Sequence, residues 1–359
     1  MINCNTGFGK LKEVVVGNEL CLTRRIADNT FKQFYKEAIN EKVYQHIEAL
    51  DGIYTVNQDL IDLRNKQLDD LADTLCDNGV TVYRPDVVNK IQMIKTPNFS
   101  TELSSASNVR DMTLVYKDKI IETPSYVRNR YFENINMYDI FADQTSIDGQ
   151  WIRCPHTRMT DDRMDLQPWT DERDYNNFDR TKYDMAIDGA QFLRIGRDCI
   201  VNINSYNHYL GFQWLEAFYP DVDFHLISVA DNHIDGALIV LKPGVFLVDP
   251  KYPNIKEQLP KKFQKWQFLY PKNLTENIDV SGMTDVDIRL ASSRGMDINI
   301  LSLDEHTLVV NERALGVKDI LDQYGFDIVE VKLENGEIFA GGIHCSTLDL
   351  NRDDEFIYY

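Results

Sequence analysis

The chain has 359 residues, room for two average domains, and its hydrophobic share of 43% is enough for a large packed core. A formal net charge of -19 sets it against phosphate backbones and anionic lipid, so nucleic-acid and membrane partners are not expected. No apolar run reaches the roughly 18 residues of a membrane span. The six cysteines (Cys4, Cys21, Cys76, Cys154, Cys199 and Cys345) fall singly, without the spacing of a metal site or a disulfide framework. The first residues, Met1-Ile-Asn-Cys-Asn-Thr-Gly7, lack the layout of a signal or transit peptide, so a cytoplasmic protein is expected.

In chain order, Leu11–Gly17 is a strand by its β-branched content. Asn18–Leu60 reads as charged and helical, packed on the outside. Leu68–Leu75 is an amphipathic helix, stopped by Gly79 and followed by the strand Val80–Tyr83. Four apolar stretches, each broken by a short polar turn, then read as β-hairpins. They start at Met112, Phe192, Ala237 and Ile298, with turns near Lys117, Arg197, Pro243 and Asp304. A helix and a further strand follow in each case: Tyr131–Phe141 with Trp151–Arg153, Tyr209–Phe218 with Phe224–Ile227, Ile255–Trp266 with Gln267–Tyr270, and Val317–Tyr324 with Phe326–Val331.

A hairpin–helix–strand unit thus recurs about five times, which suggests radial repetition around a shared core and a central funnel. The alternative is a generic α/β sheet of βαβ units, but hairpins imply mixed strand directions. One domain over 1–359 is expected. The polar stretch 143–183, rich in Asp, Arg and Asn, is an insertion, either solvent-facing or a flap over a site.

The chemistry concentrates near the C-terminus, where Gly341-Gly342 precedes His344-Cys345 and permits a close backbone approach. A lone cysteine is more often an inert buried thiol. His344 makes a poor base for it, since neighbours on a strand face opposite ways, and reads as structural. His233 is the better base, at the mouth of an apolar strand, with Asp235 two residues on along the same side. Asp188 and Asp111 open the two preceding hairpins in the same manner. Each taken alone is a turn or cap residue; recurring at equivalent entrances, they line one funnel. Carboxylates raise a thiol's pKa, so the set makes sense around a cationic substrate. A guanidinium offers paired donors to carboxylates and an electrophilic carbon between them.

These residues resemble the arginine:glycine amidinotransferase family of the pentein superfamily, whose folds are five-bladed ββαβ propellers. The resemblance runs from Gly9-Lys-Leu-Lys-Glu-Val-Val-Val-Gly17 through Asn108-Val-Arg-Asp111, Asp188-Gly-Ala-Gln191 and His233-Ile-Asp235 to Gly342-Ile-His-Cys-Ser-Thr-Leu-Asp349. It implies Cys345 as nucleophile, His233 as general acid/base, Asp188 as its orienter and Asp111 and Asp235 as guanidinium holders. Ser292 and Ser293 match a serine pair that contacts substrate in the family. Where family members carry an arginine for the substrate carboxylate, this chain reads Asp249-Pro-Lys-Tyr252.

The expected reaction is ping-pong transfer of the amidino group of L-arginine to an amine acceptor through amidino-Cys345, releasing ornithine. The acceptor could be glycine, lysine or an amine of a specialised pathway. The resemblance also implies a homodimer; no metal or organic cofactor is expected. One alternative is a deiminase or dihydrolase, in which water intercepts the same intermediate. Another is a catalytically dead propeller acting as a binding scaffold.

Overall fold

The computed structural model describes residues 2–19, 23–25, 28–34, 53–87, 92–146, 148–155, 157–167, 173–229, 232–275, 296–334, 336 and 339–359. Their main strands form five three-stranded sheets. The first sheet contains β1 (Lys10–Val16) and β2 (Thr81–Tyr83), joined by helix α1 (Gln58–Asp77). The second has β3 (Thr113–Tyr116), β4 (Lys119–Glu122), α2 (Tyr138–Thr145) and β5 (Gln150–Arg153). The third has β6 (Phe192–Ile195), β7 (Asp198–Asn202), α3 (Tyr206–Glu216) and β8 (Asp223–Ile227). The fourth has β9 (Leu238–Lys242), β10 (Val245–Val248), the short α4 (Ile255–Gln258) and β11 (Gln267–Leu269). The fifth has β12 (Leu301–Ser302), β13 (Thr307–Asn311), α5 (Leu315–Gln323) and β14 (Asp327–Val331). The last strand, β15 (Thr347–Asp353), returns to the first sheet.

Each of these five sheets has one antiparallel and one parallel pairing. In the last four, a hairpin is followed by a helix and a strand parallel to the hairpin's second strand. The first sheet obtains the same pattern from both chain ends: β15 lies antiparallel to β1, from Lys10 opposite Asp353 to Val16 opposite Thr347. β2 then lies parallel to β1. The expected mixture of strand directions is present.

The buried apolar residues fall into clusters shared between consecutive sheets. One joins sheets one and two through Val15, Leu348, Val115 and Ile120; the next joins two and three through Leu114, Ile121, Phe192 and Val201. Sheets three and four meet at Leu193, Ile200, Leu238 and Phe246, and four and five at Ile239, Leu247, Leu308 and Val310. Sheet five meets sheet one again, where Leu71 and Leu75 of α1 lie with Val14, Leu301, Val309 and Val331. The sequence of shared cores is cyclic.

Helix α1 shows how local sequence gives this packing. Ile61, Leu68, Leu71, Ala72 and Leu75 bury one face at helical spacing. The Asn57 side chain caps the start by accepting from Asp59 N at 3.0 Å. Gly79 at φ +80 turns the chain out at the other end, as Gly325 at φ +73 does after α5.

Some expectations are corrected. The helix predicted over Ile255–Trp266 is only α4 and a 3-10 turn at Phe263–Lys265. Pro260 has no N–H to donate, and Leu259 before it is extended. Within Asn18–Leu60 the described helix is Asn29–Phe34, a strand pair joins Thr23–Arg25 to Ile53–Thr55, and α1 begins at Gln58; residues 20–22, 26–27 and 35–52 lie outside the described set. In 143–183, β5 is an integral strand of the second sheet. The remainder is tied to the body: the Tyr126 hydroxyl donates to Asp165 O at 2.7 Å, and the Tyr175 and Tyr209 rings stack at 5.0 Å.

Because Leu71 is fully buried between the first and fifth sheets, Leu71→Ala is expected to cost about 2–5 kcal/mol. Urea unfolding of wild type and variant measures it.

Candidate active site

Each of the last four sheets begins with a tight turn just before its first strand, and β15 is entered in the same way. Asp111 lies in the turn before β3. Asp188 caps a 3-10 turn, Gly189–Gln191, that leads into β6; its N–H donates to Gln191 Oε1 at 2.8 Å. His233 caps another, Ile234–Gly236, that carries Asp235 and leads into β9. Asn299 follows the 3-10 turn Met296–Ile298 before β12. His344 and Cys345 sit in the turn that enters β15. A short turn lets a side chain leave the strand direction, so equivalent entrances can converge.

They do converge. His233 Nε2 lies 3.0 Å from Asp188 Oδ2 and its Nδ1 3.7 Å from Asp111 Oδ1. Asn232 Nδ2 also donates to Asp188 Oδ2, at 3.4 Å. Cys345 Sγ lies 3.4 Å from Asp235 Oδ2, and His344 Nδ1 lies 2.7 Å from that same oxygen. Asp111 and Asp235 act on both the thiol and the His233 imidazole. The cluster is deep: Cys345 is 3% exposed, while 15% of the His233 side chain meets solvent.

Two expectations change here. His344 and Cys345 are in a turn, not on a strand, so the two neighbours reach one carboxylate instead of facing opposite ways. His233 and Asp235 likewise share a 3-10 turn, and one face of a strand does not relate them.

Side chains distant in sequence clamp the turn that carries the thiol. Asn108 Nδ2 donates to Phe339 O at 2.9 Å and to Ala340 O at 3.2 Å. Arg64 of α1 donates to Gly341 O at 3.0 Å and to Ser346 Oγ at 2.8 Å. Arg110 Nε donates to His344 O at 2.8 Å, and its N–H to Cys345 O at 3.3 Å. Behind the turn, Asp349 of β15 binds Arg110 Nη2 at 2.6 Å, Arg194 Nη2 at 2.7 Å and Arg352 Nε at 2.9 Å. The glycines are required by this crowding. A Cβ on Gly341 would stand 2.1 Å from Asn108 Oδ1, and one on Gly342 2.7 Å from Asn299 Oδ1.

The electrostatics follow from buried carboxylates. Burial disfavours the charged His233, yet Asp111, Asp188 and Asp235 outweigh it and raise its pKa to about 9. Burial, then Asp235 and Asp111, push the Cys345 thiol well above its ordinary range. Burial tends to raise the carboxyl of Asp235, but the hydrogen bond from His344 and nearby positive charge bring it down to about 2. Burial and the Arg110 charge hold His344 down. At neutral pH the site therefore holds a thiol, an imidazolium at His233 and a neutral His344 that donates to Asp235.

Arg130 and Glu133 are site residues that the sequence did not single out. Arg130 Nη1 donates to Asp111 Oδ2 at 2.6 Å, and its Nε and Nη2 grip Glu133 at 2.7 and 2.9 Å. Asp111 thus carries an internal guanidinium on one oxygen, leaving buried Oδ1 without a hydrogen bond and turned toward His233. Asn299 was missed too, although the entrance pattern that gave Asp111 and Asp188 extends to it. Ser292 and Ser293 lie outside the described residues. Lys251 and Tyr252 contact one another, with Nζ 5.3 Å from the ring centroid. Among the described residues, no group of His, Cys, Asp and Glu could hold a metal ion.

A cysteine and a histidine among buried carboxylates, built on five strand entrances, define an enzyme-like site suited to a cationic, guanidinium-bearing substrate. No family model matches the chain. It is 28% identical over 298 residues to the mitochondrial glycine amidinotransferase of Xenopus tropicalis, covering 80% of this chain and 69% of that one. It is also 28% identical over 302 residues to the L-arginine:L-lysine amidinotransferase of Pseudomonas savastanoi pv. phaseolicola, covering 82% and 80%. The solved inosamine-phosphate amidinotransferase of Streptomyces griseus matches with a TM-score of 0.85 at 25% identity, over 100% of this chain and 99% of that one. Over most of its length the chain is thus similar to amidinotransferases, in sequence and in fold.

The raised pKa of His233 gives a signed prediction. Its carboxylate partners stabilise the fold fully below the ordinary imidazole value of 6.5, and that stabilisation is lost as pH rises through about 9. Relative to His233→Asn, wild type should lose on the order of 2–3 kcal/mol of stability across that window. Urea titrations of both proteins at a series of pH values measure the difference.

Proposed function

We propose that this protein is an arginine:amine amidinotransferase, with Cys345 as nucleophile, His233 as general acid/base and Asp188 as the group that orients His233. The observation that carries the reading is one buried cluster of strand entrances in which His233 lies against Asp188 and Asp111 and the Cys345 thiol against Asp235. The three relatives given above are named as amidinotransferases and support it.

The guanidinium of L-arginine binds against Asp235 and the open oxygen of Asp111. Its positive charge offsets the carboxylates, so the Cys345 thiol releases its proton to solvent as the substrate binds, and regains it from solvent when the guanidino product leaves. Sγ attacks the guanidino carbon. Imidazolium His233 then protonates the departing nitrogen, and the C–N bond breaks to release ornithine. The positively charged amidino group remains on sulfur. An acceptor amine attacks the same carbon and gives a proton to His233; the S–C bond breaks and its electron pair returns to sulfur. Asp188, at 3.0 Å, holds the imidazole's orientation throughout.

The cyclic sharing of cores supports a five-bladed propeller with these entrances around a central funnel. We further propose that 1–359 is one domain, with the polar part of 143–183 as an insertion or flap. A homodimer and a cytoplasmic setting complete the reading. No helix among the described residues is long and apolar enough to cross a membrane. Ser292 and Ser293 stand as substrate contacts on the sequence resemblance alone. The relatives are named for glycine, lysine and inosamine-phosphate acceptors, so the acceptor here is given as an amine.

Incubation with guanidino-labelled arginine should load label on Cys345 and release ornithine, and an amine panel read by mass spectrometry should show a new guanidino compound. Cys345→Ala should abolish both, and Asp188→Asn should slow turnover by roughly two to four orders of magnitude. Citrulline or ammonia formed without an acceptor would assign the chain to the hydrolases instead. Wild type that never takes up label would mean a binding scaffold.

A further inference from the structure

Asn299, at 1% exposure, is among the most buried polar residues of the site, and its side chain touches the nucleophile on two sides. Its Oδ1 accepts from Cys345 N at 3.0 Å, and its Nδ2 lies 3.2 Å from Cys345 Sγ. The main chain joins in: Asn299 O accepts from His344 N at 3.2 Å. Nδ2 also reaches Asp235 O at 3.5 Å.

The network itself fixes which way the amide faces. A backbone N–H can only donate, so the atom that meets Cys345 N must be the amide oxygen. The NH2 group is then left facing sulfur, and it can only donate. Gly342 is what admits the amide, since a Cβ there would stand 2.7 Å from Oδ1.

The surroundings of Sγ give this donor its importance. Burial, Asp235 and Asp111 all oppose a negative sulfur, while the Asn299 hydrogen bond favours it. A bound guanidinium would add positive charge, but that charge is neutralised once sulfur has attacked it. A donor that belongs to the protein remains in place through both halves of the reaction.

We infer that Asn299 is a catalytic residue whose amide N–H stabilises negative charge on Cys345 Sγ, first as the attacking thiolate and again as the leaving thiolate when the acceptor displaces it. This rests on the amidino-transfer reading. In the first half the S–C bond forms, the C–N bond to ornithine breaks and His233 supplies the proton. In the second half the C–N bond to the acceptor forms, His233 takes the proton, and the S–C electron pair returns to sulfur beside the Asn299 N–H. A neutral amide suits both steps because it neither gains nor loses a proton.

Asn299→Asp keeps the oxygen that accepts from Cys345 N but replaces the donor with a carboxylate oxygen; Asn299→Ala removes both contacts. Iodoacetamide alkylation of the Cys345 peptide is followed against pH by mass spectrometry, beside single-turnover loading and discharge of the labelled amidino group. A hydrogen bond to a charged group contributes about 1.5–3 kcal/mol. Asn299→Asp should therefore move the alkylation midpoint up by at least about one pH unit and slow loading and discharge roughly ten- to a hundred-fold, with thermal unfolding close to wild type. Asn299→Ala should show the same upward shift to a smaller degree.

Wild-type alkylation midpoints in both variants would overturn the inference, including the case where loading falls with the midpoint unmoved, since that marks a positioning role only. If wild type takes up no label from arginine, the proposed function fails, and the alkylation comparison still decides whether Asn299 stabilises the thiolate.

Discussion

The structure depends on the burial of carboxylates around a single thiol. Asp111, Asp188 and Asp235 are each 2% exposed or less, and such groups persist in a protein interior only if hydrogen bonds and opposite charge hold them. Each has its own support: Arg130 for Asp111, His233 and Asn232 for Asp188, His344 for Asp235. Among the described residues, the hydrogen-bond partners of the sulfur are the Asp235 carboxylate and the neutral Asn299 amide. The resting thiol is held protonated and His233 charged, a state that a guanidinium entering the cluster would reverse for the sulfur. In the proposed reaction, substrate charge and thiol ionisation are in this way one event.

Holding so much charge in register needs a scaffold that delivers five short turns to one place. The repeated sheets do this, because each first strand after the N-terminal unit is entered through a tight turn whose side chain is free to leave the strand direction. The ends of the chain matter most. β15 completes the first sheet against β1, and the Cys345 turn lies immediately before it. Formation of that sheet therefore places the thiol. Three arginines around Asp349 secure the strand from behind, and Arg64, Asn108 with Arg110, and Asn299 fix the turn from three different parts of the chain.

Much of this was legible in the sequence, for identifiable reasons. The hairpin–helix–strand units announce themselves through β-branched runs and through glycines past helix ends, as at Gly79 and Gly325. Asp111, Asp188, His233, Asp235 and Cys345 stand at element boundaries, where a carboxylate, imidazole or thiol is conspicuous. Asn299 occupies the same kind of entrance, but an asparagine there reads as an ordinary turn residue. Arg130 reads as a surface charge until the chain has folded it against Asp111. The relation of His344 to Cys345 required knowing that the segment is a turn. The helix predicted over Ile255–Trp266 overlooked Pro260, although that signal was in plain view.

The central claim is that a cation, not the resting protein, ionises Cys345. The most direct test is the far-ultraviolet thiolate absorbance of wild type minus Cys345→Ser at neutral pH, recorded while methylguanidinium is titrated in, with binding followed by calorimetry. The account predicts almost no thiolate in the free protein and a rise that saturates with binding. A thiolate already fully formed without the cation, or binding with no change in absorbance, would contradict it.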